Sequence, residues 1–289
     1  MPNLILPLSN TQAKSLAGKR WTFNGRTYYF KSYDPAAPGQ PPWKSGAEGK
    51  AFPLLDTNGQ AAAYLKFFTT PSQVRLDRTR WLVAQQIHRW APQLCAAPSA
   101  WVDSRQVRRP DGVEFDLTGC LATAALGETW LEMKYRLCEN RTVLDKSLRW
   151  QCLRDLVAAL ARLEEAGIVH GDLSPGNILV NARSATGGPA LSVIDFDAFA
   201  APTTGRHLVL SVGAGGTYGT AGYCPPDLVR KAEAGDLTVA PYSDRHSRDM
   251  LLLELLLAGP ELPPEAPPRD WPPDKLQLRY RALLATVPP

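Results

Sequence analysis

Hydrophobic and polar positions alternate along much of the first part of the chain. Residues 20–33, 51–55 and 60–68 have the two-residue period of half-buried strands, and the pair Asn24-Gly25 is typical of a tight hairpin turn. Over residues 71–90 the apolar positions recur at helical spacing instead. The N-terminal part is therefore predicted to be mostly sheet with one helix.

The pattern becomes helical in the second part. One apolar stripe with steps of four and three residues predicts a long helix, and it consists of Leu148, Cys152, Leu156, Leu160 and Leu163. The short apolar runs 178–180 and 191–194 are typical of buried strands, and residues 244–258 are apolar nearly all round, which predicts a buried helix. Residues 260–273 hold seven prolines and cannot form a regular helix.

Composition narrows the class of protein. A chain of 289 residues with 44% apolar and 21% charged residues is that of an ordinary globular protein, and its basic residues are scattered among acids rather than gathered into a nucleic-acid surface. The longest apolar run, 251–258, is interrupted by Glu254 and too short to span a membrane. The sequence has five cysteines, an odd number, and no CxxC pair. We therefore expect reduced thiols and a cytoplasmic protein.

Three polar residues stand out around the two predicted buried strands. Asp172 precedes Asn177 by five residues, the strand 178–180 follows, and Asp195 comes directly after the second apolar run. Carboxylates and an amide on short turns beside strands can hold metal ions and orient a hydroxyl group against a phosphate. This arrangement predicts phosphoryl transfer.

The same residues belong to longer motifs. Residues 170–177 (His-Gly-Asp-Leu-Ser-Pro-Gly-Asn) look like a kinase catalytic loop, 195–197 (Asp-Phe-Asp) like the metal-binding DFG motif, and 219–227 like the end of an activation segment. Asp244 and the apolar residues after it resemble the buried helix whose Asp braces the catalytic loop. The chain therefore resembles the eukaryotic-like, bacterial type of Ser/Thr protein kinase. The resemblance implies that Thr220 contacts the catalytic Asp and that His170 is a structural residue of the catalytic loop rather than a base.

This resemblance implies an α+β, two-lobed protein-kinase-like fold. We expect an N-terminal lobe at residues 1–124, with an antiparallel sheet and one helix, and a mainly helical C-terminal lobe at residues 125–289. The resemblance further implies that ATP and Mg²⁺ (or Mn²⁺) bind, and that the γ-phosphoryl group passes to a Ser or Thr hydroxyl of a protein. High Ala, Arg and Pro usage suggests a bacterial enzyme, and such kinases act with a partner phosphatase or a regulatory protein.

The family roles map onto single residues of this chain. Asp172 would accept or orient the proton of the attacking hydroxyl, whereas Asn177 and Asp195 would ligate the metal. Lys66, near the end of a predicted strand, would contact the phosphates. Gly46 and Gly49 match the last two glycines of the Gly-rich loop, and Tyr64 takes the position that faces the adenine ring.

Several positions depart from the family pattern. Gln85 or Gln86 lies where a Glu usually pairs with the lysine, although Asp77 or Glu48 could replace that acid. Asp197 replaces the Gly of DFG, a position that tolerates positive φ. With Tyr64, these departures keep open the alternative of a pseudokinase that acts as a nucleotide-binding or scaffold module.

Two further departures bear on regulation and substrate. Gly171 replaces the Arg that waits for a phosphate in many kinases, so we expect activity independent of activation-loop phosphorylation. Ser174 and the His-Gly-Asp form are similar to RIO-type, Bud32-type and antibiotic-phosphotransferase kinases, which leaves a small-molecule substrate open. The Tyr-x-x-Pro-Asp ending at 223–227 favours a protein substrate.

Overall fold

A computed structural model describes residues 14, 16–37, 40–45, 49–68, 73–103, 117–182, 188–202, 208–209, 219–220 and 222–257. The chain divides into two compact units. Unit 1 comprises Met1–Pro92 and Ala96–Ala124, and unit 2 comprises Gln93–Cys95 and Ala125–Pro289.

Unit 1 is built on an antiparallel sheet with the strand order β1-β2-β4-β5-β7-β6, and β3 pairs with β4. Its strands are β1 (Arg20–Phe23), β2 (Arg26–Phe30), β3 (Lys44–Ser45), β4 (Gly49–Leu55), β5 (Ala61–Phe68), β6 (Pro98–Asp103) and β7 (Leu117–Thr123). The helices described in this unit are α1 (Gln73–Ala84) and α2 (Ile87–Trp90).

The hairpin and the alternation predicted for unit 1 are confirmed. Asn24 and Gly25 both have positive φ, 48° and 75°, as a tight hairpin turn requires, and they join β1 to β2. One face of the sheet buries a cluster that includes Trp21, Phe52 and Leu65. The burial of these large apolar side chains stabilises the sheet.

The helix predicted over residues 71–90 is interrupted. α1 ends at Ala84, and Gln86 adopts a left-handed conformation with φ 54° before α2 begins. The Trp90 Nε1 atom donates to the carbonyl oxygen of Gln85 at 2.9 Å, so the indole satisfies a backbone acceptor at the break. The expectation of a single continuous helix is therefore wrong.

Unit 2 is mainly helical. Its helices are α3 (Trp130–Glu139), α4 (Lys146–Glu165), α5 (Pro226–Glu233) and α6 (Arg245–Leu256), and its strands are β8 (Glu128–Thr129), β9 (Ile178–Val180), β10 (Leu191–Val193), β11 (Ala201–Pro202), β12 (Leu208–Val209) and β13 (Thr238–Val239). The strands form two small antiparallel sheets, ordered β10-β9-β8 and β11-β12-β13. In the described part of the chain, no helix combines the length and hydrophobicity needed to cross a bilayer.

Local sequence explains where α3 and α4 begin and where α4 ends. Thr129 and Glu132 form a capping box at the start of α3, and the Asp145 side chain accepts the Leu148 N–H at the start of α4. α4 ends before Gly167, which has φ 67°, a conformation that favours glycine. The predicted apolar stripe of α4 is buried from Cys152 to Leu163.

Candidate active site

The hairpin formed by β9 and β10 brings two of the predicted site residues to the same end of a sheet. Ile178 pairs with Val193 in this antiparallel pair, so Asn177 just before β9 lies beside the residues that follow β10. The Ile194 N–H donates to the carbonyl oxygen of Asn177 at 2.9 Å. Asp195 is the next residue, and the fold thus places it next to Asn177.

His170 fastens the loop that carries Asp172 to the same strand end. Its Nε2 atom lies 2.9 Å from the carbonyl oxygen of Ile194, and its Nδ1 atom accepts the N–H of Asp172 at 3.3 Å. Both bonds fit the neutral tautomer with the proton on Nε2. The buried ring also packs on Phe196, with 4.8 Å between ring centroids. Because both nitrogens are engaged, His170 has the structural role expected for it.

The Asp172 carboxylate is held by two side chains. The Asn177 Nδ2 atom donates to Asp172 Oδ2 at 3.0 Å and to its carbonyl oxygen at 2.7 Å. The Thr220 Oγ1 atom donates to Asp172 Oδ1 at 2.7 Å, which confirms the expectation that Thr220 contacts this acid. Both carboxylate oxygens are therefore fixed in direction.

The surroundings of Asp172 change its acidity. Burial raises the pKa of Asp172, and the negative charge of Asp195 acts in the same direction. The hydrogen bonds from Thr220 and Asn177 oppose this, since they stabilise the ionised carboxylate and lower its pKa. A carboxylate with a raised pKa is a stronger base than an exposed one, which suits it to accept a proton from a hydroxyl group.

Asn177 and Asp195 together offer oxygen atoms that suit a hard cation. Since Asn177 Nδ2 is committed to Asp172, its Oδ1 atom is the one left for a ligand. One or two carboxylates with substrate phosphates are the ligands that Mg²⁺ takes, so the donor set fits this ion. Among the residues with described positions, His, Cys, Asp and Glu form no group of three that could hold a metal by themselves.

Asp195 has an uncommon backbone conformation, with φ 61° and ψ 69°. Such left-handed geometry in a residue other than glycine is unfavourable and concentrates at functional sites. Asp197, by contrast, lies in the 3-10 turn Phe196–Ala198 and is not among the described residues with positive φ. The tolerance of positive φ that Gly would offer at position 197 is therefore not used here, and Asp at this position adds no left-handed strain.

Asp244 holds the backbone of the loop that carries Asp172. It accepts the N–H of His170 at 2.5 Å and the N–H of Gly171 at 3.0 Å, which confirms its predicted role. Gly171 has φ 83°, a conformation that L side chains rarely adopt. The replacement of the family Arg by Gly is therefore matched to the backbone here.

Two candidate nucleotide contacts lie in unit 1. On β5, Leu65 faces the core of the sheet, whereas Tyr64 and Lys66 lie half-buried on the opposite face. Lys66 pairs with Ala51 on β4 and with Cys120 on β7, so the lysine sits in the middle of the sheet rather than at its edge. Burial raises the pKa of the Tyr64 hydroxyl.

The glycine candidates receive a steric explanation. Gly49 begins β4, and a Cβ atom there would lie 2.1 Å from the carbonyl oxygen of Phe67 on the neighbouring strand. No side chain fits at that distance, so strand packing alone requires glycine at this position. Gly46 lies outside the described residues.

The amides expected to replace the family Glu each make a hydrogen bond close by in the chain. Gln85 Nε2 donates to the carbonyl oxygen of Trp81 at 3.1 Å, and Gln86 Oε1 accepts from Arg89 at 3.0 Å. The side-chain carboxylate of Asp77 lies 3.8 Å from Arg80 on the exposed side of α1. Both amides therefore bond within their own turn, and Glu48 lies outside the described residues.

Sequence reasoning missed a buried polar cluster in unit 2. Lys134 on α3 and Glu254 on α6 are 1% and 3% exposed, and they bond to each other and to Tyr223. Trp130 also donates to Glu254 through Nε1, at 3.0 Å. One signal was present in the sequence, because Glu254 interrupts an otherwise apolar run.

Comparison with known proteins agrees with this geometry. A model of the phosphotransferase enzyme family matches residues 85–200, which hold Asp172, Asn177 and Asp195. The solved structure of vaccinia related kinase 3 superposes with a TM-score of 0.54 over 84% of this chain and 72% of that chain, at 16% identity. The phosphotransferase match and this structural likeness together support a protein-kinase-like superfamily. This confirms the predicted α+β kinase-like fold.

A curated relative gives a narrower likeness. The serine/threonine-protein kinase ISR1 of Eremothecium gossypii is 33% identical over 102 residues, which cover 35% of this chain and 25% of the relative. The chain thus spans about a quarter of the length of this relative. The similarity supports a kinase-like phosphotransferase.

Proposed function

We propose that this chain is an ATP-dependent protein kinase that transfers the γ-phosphoryl group to Ser or Thr hydroxyls. The observation that carries the proposal is the fixed Asp172 carboxylate, held by Asn177 and Thr220 beside Asp195. A base held in direction, next to oxygen ligands for a cation, is what transfer to a hydroxyl requires.

Asp172 would act on the attacking hydroxyl. Its Oδ1 atom accepts a hydrogen bond from the Thr220 side chain and its Oδ2 atom accepts one from the Asn177 side chain. Each carboxylate oxygen can accept a second hydrogen bond. A substrate hydroxyl can therefore donate to Asp172 without displacing either side chain. As its oxygen bonds to the γ-phosphorus, the bond to the bridging oxygen of ADP breaks and the proton passes to Asp172.

Asn177 and Asp195 would hold Mg²⁺ or Mn²⁺ through Asn177 Oδ1 and the Asp195 carboxylate. Bound there, the ion supplies positive charge that neutralises the phosphate oxygens. The bond from Asn177 Nδ2 to Asp172 links the two tasks, because it orients the amide oxygen and the base together. A change at Asn177 should therefore affect both metal affinity and rate.

The nucleotide contacts of unit 1 form part of the same proposal. Lys66 would bind the phosphates, and Tyr64 lies on the same face of β5, where its ring could stack on the adenine. Gly46 and Gly49 would let the backbone approach the phosphates. For Gly49 this role comes in addition to its steric one.

We further propose that activity does not depend on phosphorylation of the activation segment. The positive φ of Gly171 suits a position without the phosphate-binding Arg. Backbone pairing holds the described parts of this segment: β11 and β12 pair with each other, β12 pairs with β13, and Ala200 forms a bridge with Val169.

A Ser or Thr on a protein is the favoured acceptor. Tyr223 is fully buried and Pro226 opens α5, so residues 222–233 offer a turn and a helix on which a peptide could dock. The likeness to a Ser/Thr kinase points the same way. The match to the phosphotransferase enzyme family keeps a small-molecule acceptor as the second candidate.

Transfer of label from ATP tests the proposal. The wild type with Mg²⁺ and a mixture of protein substrates should label protein, whereas Asp172→Ala and Asp195→Ala should not. Asp249→Ala, which removes an exposed carboxylate of α6, is the control and should label normally. Label on an aminoglycoside or a sugar but not on protein would favour the second candidate. Binding of ATP without any transfer would favour a pseudokinase.

A further inference from the structure

The buried cluster around Glu254 joins two helices to the turn that carries Thr220. Lys134 Nζ lies 3.1 and 3.2 Å from the two carboxylate oxygens of Glu254, and it also donates to the Tyr223 hydroxyl at 3.2 Å. The Tyr223 hydroxyl in turn donates to Glu254 Oε1 at 2.5 Å. The two charges and the phenol thus bond one another in a triangle.

Tyr223 transmits this attachment to the backbone. Its carbonyl oxygen accepts the Ser247 hydroxyl at 2.7 Å, so α6 holds both ends of the residue. The N–H groups of Tyr223 and Cys224 donate to the carbonyl oxygen of Thr220, at 3.1 and 3.2 Å. A shift of the Tyr223 ring would therefore move Thr220, whose hydroxyl holds Asp172 Oδ1.

A need for stability alone does not account for this cluster. Two charges taken out of water lose hydration, and apolar residues of similar volume stabilise such a site as well or better. The hydrogen bonds between the ion pair and the phenol orient the three side chains, because each bond fixes the position of its partner. The cluster is suited to hold one arrangement of the turn against others.

We propose that Lys134 and Glu254 are positioning residues that act through Tyr223 to hold Thr220 on Asp172. This inference rests on the proposed function, since its catalytic consequence needs Asp172 to act on a hydroxyl. Its structural consequence is independent of catalysis: without the cluster, the bonds from the Tyr223 and Cys224 N–H groups to Thr220 open more often.

Tyr223→Phe is the sharpest variant, because it removes one hydroxyl and keeps the ring. Tyr135→Phe is the matched control, an exposed tyrosine next to Lys134 on the same helix. Lys134→Met, with the exposed Lys146→Met as its control, removes the ammonium in the same way. Thr220→Val alone and combined with Tyr223→Phe completes the set.

The expected kinetic result is a loss in kcat at unchanged KM for ATP. Tyr223→Phe should lower kcat about tenfold, because small misplacements of a catalytic group cost rate steeply. In the Thr220→Val background the same change should have little further effect, since the bond through which it acts is already gone. A purely structural role would give equal factors in both backgrounds and would overturn the proposal.

Hydrogen exchange of the Tyr223 and Cys224 amides separates this inference from the proposed function. Tyr223→Phe should speed their exchange about tenfold or more and leave Ile178–Val180 unchanged, whereas Tyr135→Phe should change neither. If the wild type transfers no phosphoryl group, the proposed function fails, and faster exchange would still support the positioning role. Unchanged exchange in Tyr223→Phe, with or without activity, would overturn it.

Discussion

Removal of the Glu254 carboxylate should destabilise unit 2 more than any single surface change. Glu254 accepts bonds from Lys134, Tyr223 and Trp130, and all four side chains are buried. Glu254→Ala would leave a buried ammonium without its counter-charge and two further donors without this acceptor. Breaking a buried ion pair in this way costs about 3–5 kcal/mol. That is a large share of the ~5–15 kcal/mol by which a native domain is stable.

A double-mutant cycle gives the pairwise part of this energy. The free energies of unfolding of Glu254→Ala, Lys134→Met, Glu254→Gln and the Lys134→Met/Glu254→Gln double variant are measured by urea unfolding, with hydrogen exchange in α6 to report on unit 2. Because the two groups bond directly, the double variant should lose less than the sum of the single variants, by about 1–3 kcal/mol. Glu164→Ala, which breaks an exposed pair with Arg245, should have a much smaller effect. Additive losses, or a Glu254→Ala loss below about 1 kcal/mol, would refute the reasoning.

Three other predictions follow from the site and its neighbours. Since burial raises the pKa of Asp172, the rate of transfer should fall as the pH falls through that raised value. Thr220→Val removes a hydrogen bond that lowers this pKa, so the acid limb of the pH profile of kcat/KM should move to higher pH. An unmoved limb would argue against Asp172 as the base. Gly171→Ala places a side chain at φ 83° and should cost about 1–2 kcal/mol, seen as a lower midpoint in thermal unfolding, whereas an unchanged midpoint would show that the loop adapts. Burial raises the pKa of Cys95 and of Cys152 to about 12, so neither thiol should react as a thiolate at pH 8. After treatment of the native protein with iodoacetamide at pH 8, mass spectrometry should find both thiols unmodified, and rapid labelling of either would contradict their burial.

Local patterns were enough for much of the fold. The hairpin turn at Asn24-Gly25 and the buried stripe of α4 follow from residue type and spacing within a few positions of each other. The bonds from Thr220 to Asp172 and from His170 and Gly171 to Asp244 were expected from the motif order. These features depend on short-range rules or on a family resemblance.

The missed features depend on contacts that one sequence does not encode locally. Gln86 breaks the predicted helix in a left-handed conformation, although neither Gly nor Asn marks the position. Lys134 and Glu254 lie 120 residues apart, so only the folded chain shows that their charges meet. The glycine at position 49 was attributed to phosphate binding, yet the close approach of β5 requires it in any case.

The most direct test of the account is the rate of the chemical step in Asp172→Asn. The amide has the shape of the carboxylate, and its oxygen can still accept the Thr220 hydroxyl, but it cannot take a proton from the substrate. Asn177 loses its side-chain acceptor and keeps its bond to the carbonyl oxygen of residue 172. Single-turnover transfer from Mg²⁺·ATP should slow about 10²–10⁴-fold, while the Kd for the nucleotide stays within a few-fold of wild type. A variant that transfers at the wild-type rate would contradict the assignment of Asp172 as the base.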